Sequence, residues 1–168
     1  MSKQLIDSPV VVITGGTGSF GSAFARFLLA ETQARIRIIS RDEHKQETFK
    51  AELNTPRATF IIADVRDAAR LRIAFDGADL LIHAAALKTV PQAEIHIDEF
   101  VQTNINGTHN VIQAAIGADI RHSLFIGTDK AVDAFNAYGT TKAVAERMFI
   151  QANQWGVNLV GWPKLLKL

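Results

Sequence analysis

A doubly wound α/β domain on a mostly parallel sheet, strand order 3-2-1-4-5-6, is the fold class that this 168-residue sequence predicts. Short apolar runs alternate along the chain with longer stretches of helical period, as they do where a crossover helix follows each parallel strand. A glycine-rich turn, TGGTGSFG at 14–21, follows the first apolar run and opens the first helical stretch. The length suits one domain able to bury about two-thirds of the surface its unfolded chain exposes.

The first strand is PVVVIT at 9–14, an apolar run too short for a signal peptide that passes straight into glycines. A helix over about 18–31 follows, with Phe20, Phe24, Phe27 and Leu28 at i, i+4, i+7 and i+8. That spacing predicts an aromatic stripe packed into the core rather than one set against a cofactor. Further strands are predicted at 35–40 (RIRIIS), 58–62 (ATFII), 79–84 (DLLIHA), 121–127 (RHSLFIG) and 157–162 (VNLVGW). Helices are predicted near 66–75 after Asp64, near 98–116 with Asp98 as N-cap, and near 137–154. The last of these carries Tyr138 and Lys142 at i and i+4, one turn apart on nearly the same face. The domain is expected to occupy 1–162, and 163–168 to form a short tail interrupted by Pro163.

Composition narrows the function classes. The balance of 18 Lys and Arg against 17 Asp and Glu leaves a net charge of +1 with no block of like charges, which argues against nucleic acid or an anionic membrane surface as partner. There is no Cys, which excludes disulfides and thiolate metal sites. The histidines, His44, His83, His96, His109 and His122, show no ligand spacing, so no metal is expected. No apolar run approaches the roughly 18 residues of a membrane helix. A soluble, cytoplasmic protein is the expectation.

The glycine turn carries the first chemical signal. Gly15, Gly18 and Gly21 stand at three-residue spacing, the pattern that permits a tight strand-to-helix turn, close backbone approach to a pyrophosphate, and close helix–strand contact. The helix N-terminus turns its partial positive charge on the phosphates, making Gly15, Thr17, Gly18, Ser19, Phe20 and Gly21 the predicted dinucleotide cradle. About 20 residues on, a cofactor without a 2′-phosphate usually meets an Asp or Glu. This chain has Ser40, Arg41 and Lys45 there, donors suited to a phosphate, with Asp42 among them. NADP is therefore favoured over NAD. Asp64 and Val65 follow the third strand, where such folds hold adenine. Ala84, Ala85 and Ala86 follow the fourth and are small enough for a cofactor to pass over them.

Taken in order, TGGTGSFG (14–21), SRDEHKQ (40–46), ADVRD (63–67), HAAALKTVPQAE (83–94), TNINGTHNV (103–111), TDK (128–130) and YGTTK (138–142) resemble the extended short-chain dehydrogenase/reductases. Within them the chain is most similar to the polysaccharide-biosynthesis branch of inverting UDP-N-acetylglucosamine 4,6-dehydratases and related nucleotide-sugar enzymes. The resemblance implies a Rossmann fold, a UDP-linked sugar substrate and a homo-oligomer. It implies that Tyr138 is the catalytic base and that Lys142 holds the nicotinamide ribose and favours the phenolate. Thr128 would bind the substrate hydroxyl, while Asp129 and Lys130 would be acid and base of the elimination. Asn104 would belong to the supporting hydrogen-bond network of the cofactor site, and Lys88 would line it.

Several positions depart from that pattern. Gly127 stands where Ser is usual, Thr89 where His is common, Ala134 and Phe135 in place of Asn-Pro, and Ile97 where Pro is common. Family members also continue past this point into a sugar-binding lobe, which residues 1–168 do not contain. Besides the dehydratase, three alternatives stay open: a related epimerase or reductase, a non-catalytic NADP-binding module, and a partner-dependent half-enzyme.

Overall fold

The computed structural model describes residues 8–155 and 158–161, with side chains through residue 154. Six parallel strands form one sheet: β1 (Val10–Thr14), β2 (Arg35–Ser40), β3 (Ala58–Ile62), β4 (Leu80–His83), β5 (His122–Phe125) and β6 (Asn158–Gly161). Their order is β3-β2-β1-β4-β5-β6, as the alternation of elements predicts. The chain reverses direction of growth between β1 and β4, and the carboxyl ends there coincide, Thr14 lying opposite both Ile39 and His83. That is the crevice where a doubly wound sheet takes its ligand. The predicted tail 163–168 and both ends of the predicted 157–162 strand lie outside the described residues.

The apolar run of β1 is continuous because both faces of the sheet are covered. Val10 and Val12 enter one core, with Leu71, Phe75, Val111, Ile112 and Phe149. Val11 and Ile13 enter the other, with Ala25, Ile36, Ile38 and Phe49. The helices are α1 (Ser19–Glu31), α2 (Glu43–Leu53), α3 (Ala68–Phe75), α4 (Val90–Ile95), α5 (Ile97–Phe100), α6 (Gly107–Gly117) and α7 (Ala137–Gln151). No helix among the described residues is long and apolar enough to cross a membrane.

Three expectations are corrected. The aromatic stripe of α1 is core only in part: Phe24 and Leu28 are half-buried against the core of Ala25, Ile36 and Ile38, while Phe20 is 42 % and Phe27 55 % exposed, and the fully buried residues of that helix are Gly21 and Ala25. Gly21 and Ala25 let the helix come close to the sheet, Phe24 and Leu28 pack beside that contact, and the exposed rings stack on Phe24, Phe20 at 5.5 Å and Phe27 at 5.9 Å. Asp98 does not cap a helix, because it lies inside the first turn of α5. The predicted 98–116 helix is in fact α5, a π-helical segment (Val101–Asn106) and α6 in succession. Asp42 is the N-cap of α2, its Oδ1 accepting a hydrogen bond from the Lys45 amide at 3.0 Å and its Oδ2 lying 3.3 Å from Lys45 Nζ.

Candidate active site

The carboxyl ends of β1, β2, β3, β4 and β5 and the first turns of α1 and α7 surround a cleft of about 490 Å3. Its floor follows from the glycines. Gly15 has φ +68°, and a Cβ there would lie 2.7 Å from the Ala85 amide nitrogen, so β4 passes directly against the turn. A Cβ on Gly21 would lie 2.5 Å from the Gly15 carbonyl oxygen, which is why α1 starts so near β1. Gly18 is the N-cap of α1 and offers no side-chain acceptor, leaving the first-turn amides turned to the cleft without a cap.

The structure brings together the predicted cradle residues Gly15, Thr17, Gly18, Ser19, Phe20 and Gly21, the β2-end residues Ser40, Arg41 and Lys45, and Asp64 and Val65. Ala84, Ala85, Ala86, Lys88, Tyr138 and Lys142 complete the predicted lining. Residues that sequence reasoning left out of the site are Ile39, Asp42, Ala63, Thr103, Ile126 and Gly127. Thr103 had one available signal, its place beside Asn104. Its buried hydroxyl has no hydrogen-bond partner among the described residues.

Asn104 is not among the lining residues. It stands behind the wall, where its Oδ1 accepts from the Leu87 amide at 2.8 Å and its Nδ2 donates to the Leu87 carbonyl at 3.0 Å and to Thr141 Oγ1 at 3.1 Å. The Thr141 hydroxyl in turn donates to the Tyr138 carbonyl at 2.9 Å. A single buried amide thus ties the loop after β4 to the helix of Tyr138.

Around Asp64 the charges interlock. Arg66 donates to its carboxylate from Nε at 3.0 Å and from a terminal nitrogen at 2.9 Å, and reaches Glu99 at 2.9 Å, while Arg41 approaches Asp64 at 3.5 Å. Burial opposes ionisation of Asp64, yet the bonds from Arg66 outweigh it and hold the carboxyl below its ordinary range.

Tyr138 and Lys142 are both buried in the first turns of α7. Lys142 Nζ donates to the Ile126 carbonyl at 2.8 Å and lies 4.0 Å from the centre of the Phe125 ring. Burial lowers its pKa to about 8, with the Glu146 carboxylate pulling the other way. Thr128, Asp129 and Lys130 stand apart from the cleft lining, on a 3-10 turn (Asp129–Ala131) after β5. Asp129 is 87 % and Lys130 49 % exposed, their charges 3.6 Å apart. The Thr128 hydroxyl donates to Asp129 at 3.0 Å, and that bond first, with the Lys130 charge second, holds the Asp129 carboxyl below its ordinary range.

Comparison with known proteins agrees with this geometry. The family model described as polysaccharide biosynthesis protein matches residues 11–159. The chain is 42 % identical over 144 residues to a UDP-N-acetylglucosamine 4,6-dehydratase (inverting) of Campylobacter jejuni, covering 85 % of this chain and 43 % of that protein. It is 44 % identical over 144 residues to a UDP-glucose 4-epimerase of Rickettsia felis, covering 83 % of this chain and 42 % of that protein. The X-ray structure of Pen from Bacillus thuringiensis superposes with a TM-score of 0.86 at 33 % identity, over 91 % of this chain and 48 % of that one. The chain therefore spans less than half the length of each of these relatives. With the glycine cradle, the open β1/β4 crevice and the Tyr138–Lys142 helix in the same order and on the same sheet, the chain belongs to the polysaccharide biosynthesis protein family of short-chain dehydrogenase/reductases.

Proposed function

We propose that this chain is the NADP-binding and catalytic half of a nucleotide-sugar 4,6-dehydratase of the inverting type, acting on a UDP-linked N-acetyl sugar. The observation that carries the reading is that Tyr138 and Lys142 line the same cleft as the glycine turn. The residues fit a dinucleotide: the space a Cβ would fill at Gly15 and Gly21 is already occupied by backbone, the α1 amides are uncapped, and Arg41 and Lys45 stand at the β2 end. When bound, the nicotinamide supplies a reversible hydride acceptor for carbon 4 of the sugar.

The chain's own residues handle the protons. Tyr138 takes the carbon 4 hydroxyl proton, and the Lys142 ammonium, held by the Ile126 carbonyl, places a positive charge in the same cleft. Ketone formation at carbon 4 acidifies carbon 5, where Lys130 removes the proton while Asp129 protonates the departing carbon 6 hydroxyl. At rest this pair is ionised the other way, Asp129 as carboxylate and Lys130 as ammonium. A sugar laid over the exposed turn strips water from both charges, which favours transfer of a proton from Lys130 to Asp129 and creates the base and acid that the step needs. Hydride return at carbon 6 and reprotonation of carbon 5 on the opposite face leave no net oxidation.

The likeness to UDP-glucose 4-epimerase supports a second reading, in which carbon 4 is oxidised and reduced with no elimination. Incubation with NADP+ and either UDP-N-acetylglucosamine or UDP-glucose, followed by chromatography that resolves epimers and by mass spectrometry, separates the two. A 4-keto product lighter by one water supports the dehydratase, and an epimer of unchanged mass from UDP-glucose supports the epimerase. No turnover of either, with NADPH raising the melting temperature, leaves a binding module. A homo-oligomer and a cytoplasmic location belong to the same proposal. Ile95, Ile97, Val144 and Ile150, exposed on α4, α5 and α7, support the former, and light scattering tests it.

A further inference from the structure

Gln46 of α2 is 3 % exposed, a polar side chain buried between the carboxyl ends of β2 and β3. Its Nε2 lies 2.9 Å from the Ile61 carbonyl oxygen, 3.0 Å from the Ser40 carbonyl oxygen and 3.1 Å from Ser40 Oγ. The two carbonyls can only accept, so the amide nitrogen must face them and the orientation of the Gln46 amide is forced. An amide nitrogen only donates and has two protons for these three acceptors, so Ser40 Oγ shares one of them in a three-centre bond. Ser40 therefore receives a proton on its inner side and is left with its own O–H to give. No other acceptor for that hydroxyl is recorded among the described residues, and Ser40 lines the cofactor cleft beside Arg41.

We propose that Gln46 is a positioning residue for cofactor choice: it fixes Ser40 as a hydrogen-bond donor toward the cleft, which selects a 2′-phosphate over a 2′-hydroxyl. An ionised phosphate oxygen is an acceptor alone, so a fixed donor serves it without competition. A ribose 2′-hydroxyl is better met by a carboxylate that accepts its proton, and at the end of β2 the carboxylate of Asp42 caps α2 through Oδ1 and lies 3.3 Å from Lys45 Nζ through Oδ2. The buried amide thus keeps the Ser40 proton free for the cleft and ties the β2 end to the β3 end. This inference rests on the NADP reading above.

The test is a double-mutant cycle on the full chain, with Gln46→Met, Ser40→Ala and the pair, measuring Kd for NADPH and NADH by nicotinamide fluorescence. The wild type is expected to prefer NADPH, and Gln46→Met to lower that preference about tenfold, the scale of one hydrogen bond to a charged group. In the Ser40→Ala background Gln46→Met should change the ratio no further. If Gln46→Met weakens NADPH and NADH alike, or lowers the ratio equally without the Ser40 hydroxyl, Gln46 has a structural role only and the inference falls while the NADP reading stands. A wild type that binds both cofactors equally overturns the NADP reading and this inference with it. Should Gln46→Met fail to fold, a crystal structure of the wild type with adenosine 2′,5′-bisphosphate decides. Ser40 Oγ within about 3 Å of the 2′-phosphate, with its Gln46 contact kept, supports the role, and a Ser40 hydroxyl turned away overturns it.

Discussion

His83 shows how much chemistry one buried side chain can settle. Its Nδ1 lies 2.6 Å from Thr14 Oγ1 and its Nε2 3.0 Å from Thr108 Oγ1. Thr108 spends its only proton on the Asn104 carbonyl at 2.6 Å, so it must accept from Nε2–H, and Thr14 must donate to Nδ1. Proton positions therefore run one way from the end of β1 to the π-helical segment, with the imidazole neutral. Burial first, and the Lys142 charge second, depress its pKa from 6.5 to about 3. The unfolded chain takes up a proton below about pH 6.5 and the folded chain does not. This contribution to stability is thus fully present above that pH and is lost as pH falls toward 3, at up to about 1.4 kcal/mol per pH unit. Urea titrations across that range should show a shallower acid limb in His83→Asn than in the wild type. An unchanged slope would place the titration elsewhere. Lys142 has the companion prediction. With a pKa of about 8 it is mostly ammonium at neutral pH, so oxidation at carbon 4 should decline as pH rises through 8. Lys142→Met should remove that decline and lower the rate by about a hundredfold or more, read in single-turnover NADPH formation.

At the scale of elements, the 3-10 turn and α7 are set by one contact. A Cβ on Gly139 would overlap the Lys130 carbonyl, so the helix of Tyr138 lies against the Asp129–Ala131 turn with no room between them. Asn136 caps the same helix, accepting from the Gly139 amide at 2.7 Å. Gly139→Ala should improve helix propensity yet cost about 1–3 kcal/mol through overpacking, and should lower elimination more than cofactor binding. Thermal melts with and without NADPH, beside product assays, separate those effects. The stripe of α1 is the converse case. Since Phe27 lies outside, Phe27→Ser should change stability by no more than about 0.5–1 kcal/mol, where a core Phe would lose several. Periodicity found the helix correctly but could not tell which of two adjacent faces meets the sheet. Gly21 and Ala25, small enough for close approach, decided it.

For the whole molecule, the strand order and the place of the cleft were legible because parallel strands buried on both faces write themselves as continuous apolar runs. The glycine cradle, the β2 end and the Tyr138–Lys142 pair were legible for a related reason. Their chemistry demands particular residue types at short, fixed spacing, and local spacing survives in a linear chain. The α5–π–α6 succession was not, since a π-helical turn differs from an α-helical one by a single register step that side-chain pattern barely records. Asp98 was misread as a cap for the same reason. Thr103 was passed over because its part in the site lies in the cleft wall, and the reach of Gln46 to Ile61 and of Arg66 to Glu99 joins segments that lie apart in the chain. Residue types and their local spacing thus determined by themselves that this protein folds as a doubly wound sheet with a dinucleotide crevice and a Tyr–Lys helix. Tertiary structure alone decided which face of α1 is buried, where Asn104 stands and which way the proton of Ser40 points. These are matters of desolvation and hydrogen-bond direction, which exist only once segments distant in the chain are in contact.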